Sequence, residues 1–169
     1  MPRIVMGRFT AQFAAIVIAL FALELTPPGQ RLLVESWTSA VAQAAALVLR
    51  LLDPAVLATG AMLASTRNGF AVTILAGCNG IEAMIVLAAG MLAFPAPWRS
   101  RALGIAIGTL AIQALNLIRI ASLFYLGQWD RDTFEWAHLY LWQVLIMLDV
   151  LVVWIVWLRT LPRAAPTAA

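Results

Sequence analysis

Residues 70–94 read FAVTILAGCNGIEAMIVLAAGMLAF, and how this stretch is parsed decides the fold. An apolar, partly β-branched run over 70–76 gives way at Gly77-Cys78-Asn79-Gly80 to a long apolar segment. That segment spans 79–94 and is stopped by Pro95-Ala96-Pro97. A run of that kind, with one acid (Glu82), predicts a membrane-spanning helix, since a crossing takes roughly 20 apolar residues. Cys78, the only cysteine, stands at its mouth.

Three further spans are predicted around it, at about 9–25, 102–126 and 134–158. The first has Arg3 and Arg8 before it and Pro27-Pro28-Gly29 after it. It has the basic flank of a signal peptide, but no small-x-small cleavage site follows, so it reads as an uncleaved first helix. Residues 30–53 recur at helical spacing, yet Gln30, Arg31, Glu35 and Gln43 break the apolar run and leave only 44–48 uninterrupted. An interfacial or shallow re-entrant helix is expected there. Between 56–65 and 70–76 lies Thr66-Arg67-Asn68-Gly69. Asn-Gly tolerates positive φ at both turn positions, so a short hairpin over 56–76 is expected at the membrane surface.

Composition agrees with this class. The chain is 63% hydrophobic and 11% charged, against about 25% charged in soluble domains. The expected fold is therefore an all-α integral membrane protein. It is a single membrane domain over 1–169, a bundle of about four transmembrane helices with an interfacial helix and an outer-face β-hairpin. The basic residues are all arginine and are spread along the chain, which reads as topology marking and not as a nucleic-acid surface. One cysteine and one histidine are too few for a zinc site built from those ligands, and neither metal nor cofactor is expected. Arg3 and Arg8, Arg99 and Arg101, and Arg159 and Arg163 flank three short segments expected inside. Residues 130–135 and the whole of 27–77 are then outside. Trp98, Trp129, Trp136, Trp154 and Trp157 fall near the predicted interfaces.

Depth brings three reactive side chains to one level. Arg119 lies eighteen residues beyond Arg101, about 27 Å along a helix and so near the outer end of its span. His138, the only histidine, is about a turn inside the last span, and Cys78 precedes the second. Ionisable groups cost about 2.5–3.5 kcal/mol each at a helix centre even on the mildest scale. A cysteine usually packs as a small apolar residue, a histidine at a helix end makes an interfacial contact, and a terminal arginine snorkels. Their coincidence at one depth favours chemistry instead. Cys78 at a helix N-terminus is expected to have a lowered thiol pKa. His138 would move the proton, and Arg119 would neutralise an oxyanion. Gly80 would allow close approach, and Asn116, one turn before Arg119, would donate or orient. Glu82 would orient His138 or Arg119. Asp149 sits about 16 Å deeper than His138, where it would pair with a group such as Gln113 or mark an ion path.

Cys78-Asn79-Gly80, then Asn116-Leu117-Ile118-Arg119, then His138, in that order and membrane placement, resemble the exosortase/archaeosortase family. The similarity covers roughly 70–145. It implies Cys78, Arg119 and His138 as a catalytic triad, supported by Asn79, Gly80, Glu82 and Asn116. It also implies a cysteine transpeptidase or protease acting on secreted proteins that end in a motif, a transmembrane helix and an arginine tail. The product would pass to a cell-surface glycan or lipid acceptor, or to water. The compact length suggests a bacterial form, the H subtype, whose signals begin Ile-Pro-Thr-Leu. The implied location is the bacterial inner membrane, multi-pass, with the site on the periplasmic face. A small transporter or channel subunit is the alternative, with Arg119, Glu82, His138 and Asp149 along an ion path.

Overall fold

The computed structural model describes residues 2–161, and side chains from Met6 onward. Pro162, Arg163 and the side chain of Arg3 lie outside the described residues. The order is α1 (Pro2–Glu24), α2 (Pro27–Arg50), β1 (Val56–Thr59), β2 (Met62–Ser65), β3 (Ala71–Thr73), α3 (Ile81–Ala93), α4 (Trp98–Trp129) and α5 (Arg131–Thr160). Four of these helices, α1, α2, α4 and α5, are long and apolar enough to cross a membrane.

The bundle is α3, α4 and α5 packed pairwise, with α1 laid against α3. Lipid tails are as apolar as leucine, so helices in a membrane gain little by hiding side chains and instead need close van der Waals fit. Glycines supply it. A Cβ on Gly104 would sit 2.4 Å from Nε1 of Trp157, and one on Gly108 would sit 2.4 Å from Leu87 Cδ2. The spacing of Gly104 and Gly108 thus lets α4 close on α5 and α3 together. Trp157 is buried and donates to the Ser100 carbonyl at 3.0 Å, tying the end of α5 to the start of α4. Trp98, Trp129 and Trp136 are exposed, whereas Trp157 belongs to the core.

Two predicted elements differ in kind. The helix over 27–50 is continuous, 24 residues long, started by Thr26 accepting from the Gly29 amide. Of the polar residues that argued against a crossing, Gln30, Arg31 and Glu35 fall in a π-helical stretch, Gln30–Glu35, and Gln43 lies beyond it. The helix packs against β1, β2 and α4, and its π-helical stretch touches α1. Val41, Ala45 and Leu49 meet Ile120 and Phe124, near the C-terminal end of α4. Conversely, the helix that opens after Cys78 starts only at Ile81, because Gly80 is left-handed with φ +82°. At 13 residues it rises only about 20 Å, short of a full crossing.

The predicted hairpin is a three-stranded antiparallel sheet in the order β1-β2-β3. Residues 66–69 join β2 to β3 as expected, but Gly69 alone takes positive φ there and Asn68 does not. The second turn, unforeseen, is Gly60-Ala61, where φ +56° at Gly60 folds the run 56–65 back on itself. The sheet sits on the C-terminal end of α4. Phe70 packs edge-on against Phe124 at 5.7 Å, and Asn68 donates to Gln128 at 2.9 Å.

Candidate active site

Cys78 lies in the turn between β3 and α3, and three neighbours hold that turn. The Asn79 side chain, fully buried, accepts from the Ile81 amide at 3.0 Å and donates to Thr38 Oγ1 at 2.9 Å. Its carbonyl accepts from Gln113 Nε2 at 3.1 Å and from Trp37 Nε1 at 3.2 Å. Glu82 accepts from the Gly77 amide at 2.6 Å. Gly77 and Gly80 bracket the cysteine with φ +85° and +82°, conformations that a Cβ would strain. At Gly80 a Cβ would also meet Gln113 Nε2 at 2.5 Å.

Around the sulfur the other two groups converge. Arg119 Nη2, on α4, donates to Sγ at 3.5 Å. His138, on α5, places Nε2 at 3.8 Å and Nδ1 at 4.0 Å from the same atom. The start of α5 is set by Asp130, whose carboxylate accepts from the Thr133 amide at 2.7 Å. Two turns on, His138 falls in a π-helical stretch, Ala137–Leu141, and its ring stacks on Phe134 at 5.7 Å with 7° between planes. A π-bulge shifts the register of a helix face, and such bulges occur often at functional sites. The three groups line a cavity of about 240 Å³ with Thr73, Leu75 and Phe134.

Arg119 is 3% exposed, so it does not snorkel. Among the described residues its Nε is buried without a partner, as is Oδ1 of Asn116. Asn116 itself is fully buried and reaches Gln113 Oε1 at 3.5 Å.

Several expectations change here. Glu82 braces the Gly77 turn and bonds to neither His138 nor Arg119. Gln113 serves Asn79 and not Asp149, whose Oδ2 is buried without a partner. Burial pushes the Cys78 thiol above its ordinary value; Arg119 pulls it down and Glu82 adds to the rise. The expected depression by the helix terminus therefore does not dominate, because Gly80 starts α3 two residues beyond the thiol in a desolvated turn. Thr38, Trp37, Gln113 and Phe134 were invisible as site residues. Each is an ordinary helical residue in sequence and acts only through a long-range contact. Among the described residues, no three His, Cys, Asp or Glu side chains gather as metal ligands would. A larger apolar groove of about 330 Å³, lined by Phe9, Phe13, Gly90 and Trp154, carries no reactive group.

Fold and site together define a polytopic membrane protein with thiol, imidazole and guanidinium clustered at one end of its bundle. The family model for transmembrane exosortase (Exosortase_EpsH) matches residues 3–156. This chain belongs to the transmembrane exosortase family. No curated protein and no solved structure matches it.

Proposed function

We propose that this protein is a membrane-embedded cysteine transpeptidase or peptidase that cleaves the C-terminal sorting signal of secreted proteins. One observation carries the reading: the Arg119 guanidinium and the His138 imidazole, from two separate helices, each lie within 4.0 Å of the Cys78 sulfur. In this chemistry His138 takes the thiol proton and the sulfur attacks the scissile carbonyl. Arg119 neutralises the tetrahedral oxyanion. His138 then returns the proton to the leaving amine, which departs with the substrate's own membrane helix. A surface glycan or lipid nucleophile, or water, resolves the thioester on Cys78. The signals proposed for it are of the Ile-Pro-Thr-Leu kind, those of the H-type form.

The proposed setting is the bacterial inner membrane with the site on the periplasmic side. Arg8 and Arg101 meet at one end of the bundle, and Trp157 brings Arg159 towards the Ser100 end of α4. Cys78, Arg119 and His138 occupy the opposite end. The ion-path alternative needs polar groups through the depth of the bundle. Below the site the shared interior of α3, α4 and α5 is instead Leu87, Met91, Ile112, Ile146 and Val150. The test is a co-expressed reporter ending in Ile-Pro-Thr-Leu, an apolar helix and an arginine tail. Wild-type protein should shorten the reporter and Cys78→Ala should not; equal processing by both ends the nucleophile assignment.

A further inference from the structure

In an antiparallel ladder, residue pairs alternate between exchanging both main-chain hydrogen bonds and exchanging none. The Ser65 amide donates to the Phe70 carbonyl and the Ile74 amide to the Ala61 carbonyl. In the register Leu63 to Val72, residues 70, 72 and 74 therefore bond inward to β2. Ala71 and Thr73 alternate with them, so their N–H and C=O groups point off the sheet. Among the described residues these groups have no main-chain or side-chain partner. Both residues are exposed, and Thr73 lines the cavity that holds the thiol.

The opposite edge is treated differently. On β1, Arg50 Nε covers the outward Val56 carbonyl at 2.8 Å, and the Val56 amide donates to the Asp53 carbonyl at 3.3 Å. An open edge is a liability that proteins normally blunt. The open stretch at Ala71 and Thr73 is the one that borders the sulfur.

We propose that the open edge of β3 is the substrate's docking rail. The extended segment around the scissile bond adds as a fourth strand against Ala71 and Thr73, and so presents its carbonyl to Cys78. This inference rests on the peptidase reading. An extended peptide on a sheet edge gains main-chain hydrogen bonds whatever its side chains, while alternate side chains give selectivity. Direction follows from the topology. β3 runs from the Phe70 end, seated over the tip of α4, down to Cys78 at the level of Arg119. A substrate that ends in a membrane helix must run the same way to reach the bundle, so the added strand is parallel to β3. A proline in the segment, having no N–H, faces away from β3. In Ile-Pro-Thr-Leu, the amides of Ile and Thr then face β3 and that of Leu faces outward.

The test measures reporter cleavage by purified full-length protein, with alkylation of Cys78 by iodoacetamide as an independent readout. Thr73→Pro removes one outward N–H at an edge position where proline is tolerated. It should raise KM about tenfold or more, as expected when one or two main-chain bonds are lost. Its kcat and its Cys78 alkylation rate should stay those of the wild type. Thr73→Val keeps the N–H and should show a KM about tenfold below that of Thr73→Pro. A wild-type KM for Thr73→Pro, while Cys78→Ala is inactive, overturns the rail and leaves the peptidase intact. Cleavage by Cys78→Ala, or none by wild type, removes the peptidase reading and the rail with it. Should Thr73→Pro fail to fold, wild-type protein is given reporter peptides N-methylated at single positions. Loss at Thr but not at Leu supports the rail, and equal loss at both, or at neither, overturns it.

Discussion

Arg119 Nη2 lies 3.5 Å from Cys78 Sγ, bridging 41 positions of sequence, and it is the one cation in contact with the sulfur among the described residues. The contact is part-buried, and the cation favours the thiolate although desolvation outweighs it. In the proposed reaction the contact sets the guanidinium beside the sulfur to which the substrate's carbonyl carbon would bond. Arg119→Lys keeps the charge but loses the planar fork and the unpartnered Nε. Loss of one oxyanion donor typically costs about 10²–10³ in kcat. Arg119→Lys should fall in that range in reporter cleavage, with the protein still extracted in folded form. Turnover equal to wild type would remove the oxyanion role.

His138→Gln retains a polar group near the sulfur but cannot carry the proton. General acid–base groups contribute about 10²–10⁴, so kcat should drop by that order. Binding should survive, which co-purification of uncleaved reporter with His138→Gln would show. Retained turnover in this variant would assign the proton transfer elsewhere.

The thiol's pH response follows from its surroundings. Burial raises the Cys78 pKa above its ordinary value, so thiolate is scarce at neutral pH and grows as pH rises through the raised value. Alkylation of Cys78 should therefore still be accelerating above about pH 8.5, where an ordinary thiol is half ionised. Arg119 lowers the thiol pKa and Glu82 raises it. Arg119→Gln should move the alkylation midpoint to higher pH, and Glu82→Gln should move it to lower pH. A midpoint that ignores both substitutions would contradict the electrostatics of this pocket.

The turn bearing the cysteine depends on α2. Thr38→Val removes the acceptor for the buried Asn79 side chain, and leaving such a donor unpaired costs about 1–3 kcal/mol. Thr38→Ser keeps the hydroxyl. The valine variant should show lower thermal stability in detergent and a lower kcat, and serine should restore both. Equal behaviour of the two would mean that the hydroxyl does not hold the turn.

Gly104→Leu tests the bundle. A Cβ alone would lie 2.4 Å from Trp157, so a leucine must part α4 from α5. Overpacking typically costs about 1–3 kcal/mol, which should appear as a lower melting temperature. Gly7→Leu, at a position with nothing within 4 Å, is the matched control and should not shift it.

Much of this was legible in one dimension. Membrane residence, the long helices around 102–126 and 134–158, the Asn-Gly turn and the level shared by Cys78, Arg119 and His138 are all periodic or local signals. A hydrophobic run declares its environment, and a helix rises by a constant amount per residue, so depth can be counted. The helix expected over 30–53 lies at Pro27–Arg50, and it is long and apolar enough for a crossing although Gln30, Arg31 and Glu35 interrupt its start. The start of α3 was misplaced because a single left-handed glycine, Gly80, resets the helix.

Depth alone leaves the rotation of each helix about its axis open, and rotation decides which side chains meet. Glu82 faces the Gly77 amide and not His138, Gln113 faces Asn79 and not Asp149, and His138 is turned to the sulfur by a π-bulge above Phe134. Likewise, which edge of the small sheet stays unpaired depends on register and on the reach of Arg50. The apolar pattern set how deep each group lies, since hydration acts on every residue singly. Azimuth came from packing, because Gly104, Gly108 and the Asn79 hydrogen bonds act between elements that only folding brings together.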